Sequence, residues 1–310
     1  MDKVLSHSAA MIRQGSKSFS GASKLLDKST RESAILLYSW CRYCDDQIDN
    51  QILGFNKKHK EDDLNAEEIL QSIEKSTQDA INNISLDQIE FEALRRVLQK
   101  HSIPKQYPVE HLQGFRMDVE KKQYHNITDT LEYCYHVAGV VGVMMAYIFG
   151  IKDSKILVRA ADLGIAFQLT NIARDVIEDA KMGRVYLPSE WLAEHDINAG
   201  TILEIKNRMK LFLVIKRLLD LSEEYYESAN IGIEYLPLRI RWGIKVASSV
   251  YREIGIKIRI LGSNAWNQRV YIKRPYKVLL AMKYFLKYFT WNKANTLQDL
   301  ERNSFLWKKN

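Results

Sequence analysis

Two short segments of the chain carry oxygen-bearing side chains at the spacing of one helix turn. Asp45 and Asp49 stand four residues apart, and Asn171, Asp175 and Asp179 repeat that spacing farther along the chain. In a helix, residues at i, i+4 and i+8 lie on one face, so each segment forms a stripe of oxygen ligands. Carboxylate and amide oxygens suit a hard cation such as Mg²⁺, which keeps open positions for phosphate. The two stripes therefore predict a metal–diphosphate site.

Carboxylates that share a helix face repel each other, so a cation is expected to compensate them. Arg42, three residues before Asp45, is one candidate, and a divalent metal ion is the other. A solvated helix face is the alternative interpretation of a single pair of aspartates. Both stripes follow apolar segments, residues 35–37 and 165–167, and charges in such surroundings are rarely left unpaired. The apolar flanks favour the functional interpretation.

The elements that must position these stripes are predicted to be helices. Apolar residues recur at three- and four-residue spacing, and strand-like alternation is scarce. Helix starts are predicted at Ser29 and Thr30, at Thr128, and at Asp153 and Ser154. Breaks are predicted at residues 54–65, 102–107, 181–188 and 195–200, and the charged first break is expected to be a mobile loop. The pattern indicates an all-α bundle that forms a single domain over residues 1–310.

Composition and charge limit the classes of binding partner that are expected. The 310 residues include only 5 Pro and 14 Gly, and no stretch has the composition of a flexible linker. The net charge of +7 and the pI near 9.1 suit an anionic partner such as a phosphate-bearing substrate or an acidic membrane. Basic residues alternate with carboxylates, and neither zinc-finger spacing nor an RNP-type aromatic strand is found, so no nucleic-acid partner is expected.

Cysteine usage and hydropathy predict a cytoplasmic protein. Three cysteines do not form a disulfide framework in a chain of this length, and Cys41 and Cys44 lie within an apolar helical run, which favours buried, inert thiols. No secretory signal is recognised at the N-terminus. The longest apolar run, residues 137–151, is shorter than the roughly 20 residues that cross a bilayer and predicts a buried helix. The protein is expected to be soluble or peripheral on the inner face of a membrane.

Five blocks in order along the chain resemble the squalene/phytoene synthase family. They are residues 15–20, 38–49, 133–142, 168–179 and 183–188, and the likeness extends from about Ser6 to Arg269. The resemblance implies the all-α isoprenoid synthase fold, in which two aspartate-rich helices face each other across a central cavity. It also implies a Mg²⁺-dependent prenyl transferase that joins two isoprenoid diphosphates head to head.

The resemblance assigns roles residue by residue. Asp45 and Asp49 would serve one metal cluster and Asn171, Asp175 and Asp179 the other, with Mg²⁺ as the cofactor and Mn²⁺ as a substitute. The residues that would hold the diphosphates are Ser16, Lys17, Ser18, Tyr38, Arg42, Arg174 and Arg269, with Gln168 beside them. Tyr133, Tyr135 and Tyr251 resemble aromatic residues near the reacting carbons, where a ring face stabilises a cation. Tyr38, Arg42, Arg174, Tyr133 and Tyr251 are thus the expected catalytic residues.

Ionisation of an allylic diphosphate leaves a carbocation that needs a dry, apolar pocket. Residues 137–151 are a candidate wall for that pocket, with Gly139 and Gly142 allowing close approach, and a plain core helix is the alternative interpretation.

Motif details favour one substrate. The blocks at residues 41–46, 174–179 and 183–188 look more like those of family members that join two C20 geranylgeranyl diphosphates, a reaction that needs no NADPH. Dehydrosqualene and squalene synthases, which join C15 farnesyl diphosphates, are the alternative within the family. A non-catalytic, membrane-associated helical assembly factor is the alternative from another class, and the intact acidic motifs count against it.

The C-terminal segment, residues 276–310, begins with a predicted basic amphipathic helix. Lys277, Lys283 and Lys287 alternate with aromatic and aliphatic residues up to residue 291. Met282, Phe285, Leu286 and Phe289 share a helix face that is distinct from the face of Lys283 and Lys287. This helix is expected either to pack on the core or to rest on an anionic membrane.

Overall fold

The computed structural model describes residues 2–15, 21, 23–49, 51–52, 56–57, 66–288 and 301–309. Its helices are α1 (Lys3–Gly15), α2 (Lys28–Ile48), α3 (Ala66–Ile81), α4 (Ile89–His101), α5 (Gln106–Val119), α6 (Ile127–Cys134), α7 (Val140–Ile148), α8 (Ser154–Lys181), α9 (Ser189–Ala193), α10 (Arg208–Ile233), α11 (Leu238–Leu261) and α12 (Arg274–Tyr288). A π-helix (Tyr135–Gly139) joins α6 to α7, and 3₁₀ turns occupy Ile205–Asn207 and Gly262–Asn264. The predicted all-α class is confirmed.

The only strands among the described residues are two residues long. Strands β1 (Gln51–Ile52) and β2 (Asn56–Lys57) pair antiparallel after α2. Of the predicted mobile loop at residues 54–65, only β2 belongs to the part of the chain that the structure describes. The rest of that prediction lies outside the described residues.

Side-chain caps fix the helix starts close to the predicted positions. Helix α2 follows Asp27, whose carboxylate accepts a hydrogen bond from the backbone N–H of Thr30. Helix α6 begins with a capping box, in which Asn126 and Asp129 each accept from the backbone of the other. Helix α8 follows Asp153, whose carboxylate accepts from the backbone two residues on. The predicted start signals, Ser29-Thr30 and Thr128, lie two or three residues after the observed caps Asp27 and Asn126.

The long apolar run is a core element that packs directly on α8. A Cβ atom added at Gly142 would lie 2.3 Å from the carbonyl oxygen of Ala160, and one added at Gly164 would lie 2.2 Å from the carbonyl oxygen of Ala138. A larger side chain at either position would push the two backbones apart. The close approach predicted for Gly139 and Gly142 therefore occurs, and its partner is helix α8.

Two helical stretches, Ile127–Ile148 and Ser154–Lys181, are long and apolar enough to cross a membrane by length and composition. Most of each stretch is buried against the rest of the protein, which is the behaviour of core helices. The second stretch also carries the acidic stripe that begins at Asn171. Both are therefore assigned to the protein core.

The cysteines fit the prediction of inert thiols. All three are free, with Cys44 and Cys134 fully buried and Cys41 half-buried on α2. Burial raises the pKa of each thiol, so all three stay protonated at neutral pH.

Candidate active site

The two acidic stripes converge on one arginine. Asp45 lies in the last turn of α2 and Asp49 caps that helix, whereas Asp179 lies near the end of α8. Arg184, in the segment after α8, places its Nη1 atom 2.6 Å from Oδ1 of Asp49. Burial raises the pKa of Asp45 and Asp179, and the charge of Arg184 opposes the rise at both positions. Segments more than 100 residues apart in the sequence thus share one electrostatic environment.

Arg42 neutralises part of the first stripe. Its Nη1 atom lies 2.7 Å from Oδ2 of Asp45, and its Nε atom lies 3.2 Å from Oδ1 of Asp46. Burial is the main cause of the raised pKa of Asp45, and Asp49 and Asp46 add to the rise while Arg42 lowers it. One guanidinium therefore does not compensate all the carboxylates at the end of α2.

The second stripe holds two arginines at a single carboxylate. Arg174 donates from Nε to Oδ1 of Asp175 at 2.8 Å and from Nη2 to the other oxygen, and Arg269 donates from Nη2 to Oδ2 of Asp175 at 3.0 Å. Asp179, one turn farther on, has its pKa raised to about 8 by burial, by Asp175 and by other nearby carboxylates. Two arginines therefore neutralise Asp175, whereas the negative charge around Asp179 is not fully compensated.

The structure places Tyr251 beside this stripe. Its ring stacks on Phe167 with centroids 4.2 Å apart. Burial raises the pKa of Tyr251, and the charges of Arg174 and Arg269 oppose that rise. An aromatic surface therefore adjoins the arginines that hold Asp175.

A buried cluster around Asp118 was missed by the sequence analysis. Asp118, at the end of α5, accepts hydrogen bonds from the phenol of Tyr186 at 2.9 Å and from the phenol of Tyr133 at 3.1 Å. The rings of these two tyrosines stack with centroids 4.4 Å apart, and the ring of Tyr124 meets both edge-on. Burial raises the pKa of Asp118 to about 6, and Arg184 opposes that rise. The cluster therefore borders the acidic site.

A signal for part of this cluster was present in the sequence. Residues 183–188, which include Arg184 and Tyr186, were recognised as a family block, but no role was assigned to those two residues. Asp118 is a lone aspartate with no acidic partner at helical spacing, so its position gave no signal.

The remaining predicted residues divide into three groups. Tyr38 precedes Arg42 by one turn of α2, and Gln168 accepts from Nδ2 of Asn171 at 3.3 Å, so both lie on the expected faces. Tyr135 instead donates to Oε2 of Glu110 at 2.7 Å and lies apart from the Asp118 cluster, because it is two residues from Tyr133 on a helical turn. The predicted Ser16, Lys17 and Ser18 lie outside the described residues.

The donor set fits the metal that the sequence suggested. Oδ1 of Asn171 is buried and accepts no hydrogen bond from any described residue, which is unusual for a buried polar atom. No group of three or more His, Cys, Asp or Glu side chains among the described residues is close enough to hold an ion unaided. Mg²⁺ commonly takes only one or two protein carboxylates and completes its coordination with phosphate oxygens and water. The two stripes suit that mode of binding.

Comparison with known proteins gives the class to which this fold and site belong. Residues 12–276 match the family described as squalene/phytoene synthase, and the chain belongs to that family. It is 48% identical over 266 residues to a 15-cis-phytoene synthase from Enterobacter agglomerans, which spans 86% of this chain and 90% of the relative. It is 45% identical to a 15-cis-phytoene synthase from Pantoea ananas over 90% of both proteins.

Solved structures show the same fold. A dehydrosqualene synthase in complex with a ligand superposes with a TM-score of 0.82 at 27% identity, covering 93% of this chain and 97% of the other. The squalene synthase HpnC from Alicyclobacillus acidocaldarius superposes with a TM-score of 0.73 at 20% identity, covering 84% and 95%. The resemblance drawn from the sequence is confirmed, and so is the isoprenoid synthase fold.

The crowded carboxylates predict that the metal-free protein becomes less stable as the pH rises. Asp179 has a pKa of about 8 when folded and an ordinary value near 3.8 when unfolded, so the folded state holds a proton that the unfolded state releases between those values. Stability therefore falls as pH rises through that window. In EDTA at pH 8, Asp179→Asn should raise the free energy of unfolding, because it removes a charge that burial and neighbouring carboxylates disfavour. The expected gain is about 1–2 kcal/mol, because solvent screens a half-buried carboxylate.

At pH 4 this gain should vanish, because the native carboxyl is then protonated. Urea unfolding at both pH values measures the difference. Glu178→Gln removes the same charge from the neighbouring exposed position and should give a clearly smaller gain. Equal gains at pH 4 and pH 8 would contradict the assigned cause.

The Asp118 cluster predicts a specific energetic coupling. A double-mutant cycle of Asp118→Asn with Tyr186→Phe should give a coupling free energy of about 1–3 kcal/mol, because the phenol donates to a buried carboxylate. The matched control pairs Asp118→Asn with Tyr124→Phe. The Tyr124 hydroxyl is buried with no hydrogen-bond partner among the described residues, so only its ring contacts the cluster. That cycle should be additive within about 0.5 kcal/mol, and equal coupling in both cycles would refute the network.

Proposed function

We propose that this protein is a phytoene synthase, which condenses two geranylgeranyl diphosphates head to head through prephytoene diphosphate and releases diphosphate. Membership of the squalene/phytoene synthase family and identities of 43–48% to several bacterial relatives named phytoene synthase support this function. The observation that carries it is the meeting of two acidic stripes around Arg184, with further arginines already held at their carboxylates.

Mg²⁺ is the proposed cofactor, with Mn²⁺ as a substitute. Asp45 and Asp49 would hold it on one side, and Asn171, Asp175 and Asp179 on the other. Bound there, the metal would supply positive charge that stabilises the departing diphosphate. The orphaned Oδ1 of Asn171 and the raised pKa of Asp179 both indicate a site that lacks positive charge.

The arginines of the site would also bind the diphosphate. Arg42, Arg174 and Arg269 pair with aspartates that the metal would also neutralise. With a cation bound at those aspartates, each guanidinium would be available to donate hydrogen bonds to diphosphate oxygens. Arginine suits this exchange because its planar fork matches both carboxylate and phosphate geometry.

The aromatic residues would protect the carbocation. The stacked pair of Tyr251 and Phe167 presents a ring surface next to the arginines that bind the leaving group. Ring faces attract cations, and the surrounding apolar side chains exclude the water that would quench one. Tyr133 belongs to the second ring cluster, where Asp118 fixes its hydroxyl.

A second candidate is a dehydrosqualene synthase that uses farnesyl diphosphate. The observation in its favour is the superposition on a dehydrosqualene synthase over nearly the whole of both chains. The higher identity to the relatives named phytoene synthase favours the C20 substrate. The non-catalytic assembly factor has no comparable support.

The proposed location is the cytoplasm, at the inner face of a membrane. Prenyl diphosphates with C20 tails and their hydrocarbon product are both lipids, so a protein that handles them gains from contact with a bilayer.

The metal requirement is tested by removing single ligands. Asp45→Ala and Asp175→Ala should each lower turnover of geranylgeranyl diphosphate by about 100-fold or more, because both lose charge at the diphosphate. EDTA should abolish activity, and Mg²⁺ or Mn²⁺ should restore it. Circular dichroism should show an unchanged helix content. Asp220→Ala, which removes an exposed carboxylate from α10, is the control and should keep full activity. Normal turnover in EDTA would exclude the metal site.

Product analysis separates the two candidate substrates. Purified protein with Mg²⁺ should convert geranylgeranyl diphosphate to phytoene without NADPH, as measured by chromatography of the hydrocarbon and release of diphosphate. With farnesyl diphosphate the hydrocarbon yield should be at least about tenfold lower, since a site built for a longer tail binds the shorter one less well. A preference for farnesyl diphosphate would support the second candidate instead. A requirement for NADPH would indicate a squalene-type reaction.

A further inference from the structure

The net positive charge of the chain arises from one segment. Residues 254–298 contain nine lysines and arginines and no aspartate or glutamate. All other residues together carry 36 basic and 38 acidic side chains, a net charge of −2 against the +9 of this segment. The basic character of the protein therefore belongs to the end of α11, α12 and the residues around them.

Exposed apolar side chains are concentrated in the same segment. Of the 20 large hydrophobic residues that are exposed in the described part of the chain, ten lie between Ile256 and Leu286. On α12 they form a stripe of Val278, Leu279, Met282, Phe285 and Leu286, which recur at helical spacing on one face. Met282 is 58% exposed and Leu286 is 70% exposed.

Helix α12 packs on α11 through its opposite face. Leu280 is buried, the indole of Trp242 donates to the carbonyl oxygen of Ala281 at 3.1 Å, and the hydroxyls of Ser249 and Tyr284 lie 2.8 Å apart. Packing on the core and resting on a membrane, the two interpretations predicted from the sequence, are therefore compatible for this helix. One face packs on the core, and the ring of Phe285 at the edge of the stripe also meets the ring of Trp242, with centroids 5.5 Å apart. Met282 and Leu286 point away from the core.

The end of α11 extends this surface. Ser249, Ile256 and Ile260 are related by seven and four residues, so they lie on one face of α11. Helix α12 covers the first of them and leaves the other two exposed, with Ile260 78% exposed. Nζ of Lys257 donates to the carbonyl oxygen of Tyr271, whose ring is 68% exposed. The exposed residues of α11, the linker and α12 thus face the same side of the molecule.

We infer that this surface, formed by Ile256, Ile260, Tyr271 and the outward stripe of α12, docks on an anionic lipid bilayer. A basic helix with an outward apolar face binds at the lipid interface, where its apolar residues enter the headgroup region and its lysines attract anionic lipids. Lys273, Arg274 and Lys283 are exposed beside the apolar residues. Other proteins with a negative net charge would match the charges but would offer no apolar phase for the exposed hydrophobic residues of this surface.

The surface adjoins the proposed active site. Arg269, which donates to Asp175, is two residues before Tyr271. A protein docked here would hold its diphosphate site close to the membrane in which the prenyl substrate lies. This advantage depends on the proposed function, whereas the docking itself does not.

Vesicle flotation tests the inference without any turnover. The full chain in EDTA should float with phosphatidylcholine vesicles that contain phosphatidylglycerol, and much less with phosphatidylcholine alone. Met282→Gln with Leu286→Gln should lower the partition coefficient at least about tenfold. Lys273→Gln with Lys283→Gln should lower it about fivefold per lysine, and raising salt from about 0.05 M to about 0.5 M should weaken binding further.

Two control variants carry matched changes elsewhere. Ile84→Gln with Val109→Gln removes exposed apolar residues, and Lys206→Gln with Lys216→Gln removes exposed charges, so both should float like the parent. Thermal unfolding verifies that all variants fold. A parent that fails to float, or equal flotation by parent and surface variants, overturns the inference.

A second copy of the chain is the competing occupant of this surface. If light scattering shows a dimer that Met282→Gln with Leu286→Gln converts to a monomer while flotation is unchanged, the surface is a contact between copies and the inference is wrong. Flotation by a protein that lacks synthase activity would leave the docking surface in place and refute the proposed function alone.

Discussion

The arrangement of the site depends on the mutual repulsion of carboxylates brought to the ends of α2 and α8. Asp45, Asp49 and Asp179 would separate the helices if nothing stood between them. Arg184 provides the cation in the described structure, with its guanidinium 2.6 Å from Asp49. The raised pKa of Asp179 shows that this compensation is incomplete. The fold thus tolerates an excess of negative charge, and that excess would favour the binding of the proposed Mg²⁺ ions.

The fold tolerates this electrostatic repulsion because the rest of α8 is packed tightly. Gly142 allows the backbone of α7 to approach α8, and Gly164 allows α8 to approach the π-helix before α7, at distances that a larger side chain would prevent. The same helix therefore has a tightly packed first half and an electrostatically unfavourable second half. Packing interactions over the first half stabilise the positions of Asn171, Asp175 and Asp179 in the second, which is the usual distribution of stability between core and site.

The sequence predicted the elements whose signals are local. Helix periodicity, caps and the two stripes of Asp45 and Asn171 depend on residues within a few turns of each other, and the structure places them as expected. The contacts of Asp118 and Arg184 depend on tertiary packing between α5, α6 and the segment after α8, which no local spacing encodes. The partner of Tyr135 is another such tertiary contact, since its phenol donates to Glu110 whereas the phenol of Tyr133, two positions away, donates to Asp118.

The distribution of charge connects the site with the surface. A site built from aspartates would repel an anionic substrate at a distance, and the body of the protein outside residues 254–298 is itself slightly acidic. The basic segment reverses that field on one side of the molecule, and Arg269 carries its charge directly to Asp175. An approaching diphosphate would therefore be attracted first to this segment, where Arg269 already accompanies Asp175. Because the same segment carries the apolar stripe of α12, the side that would attract the diphosphate is also the side from which a membrane docked as inferred above would deliver the lipid tail.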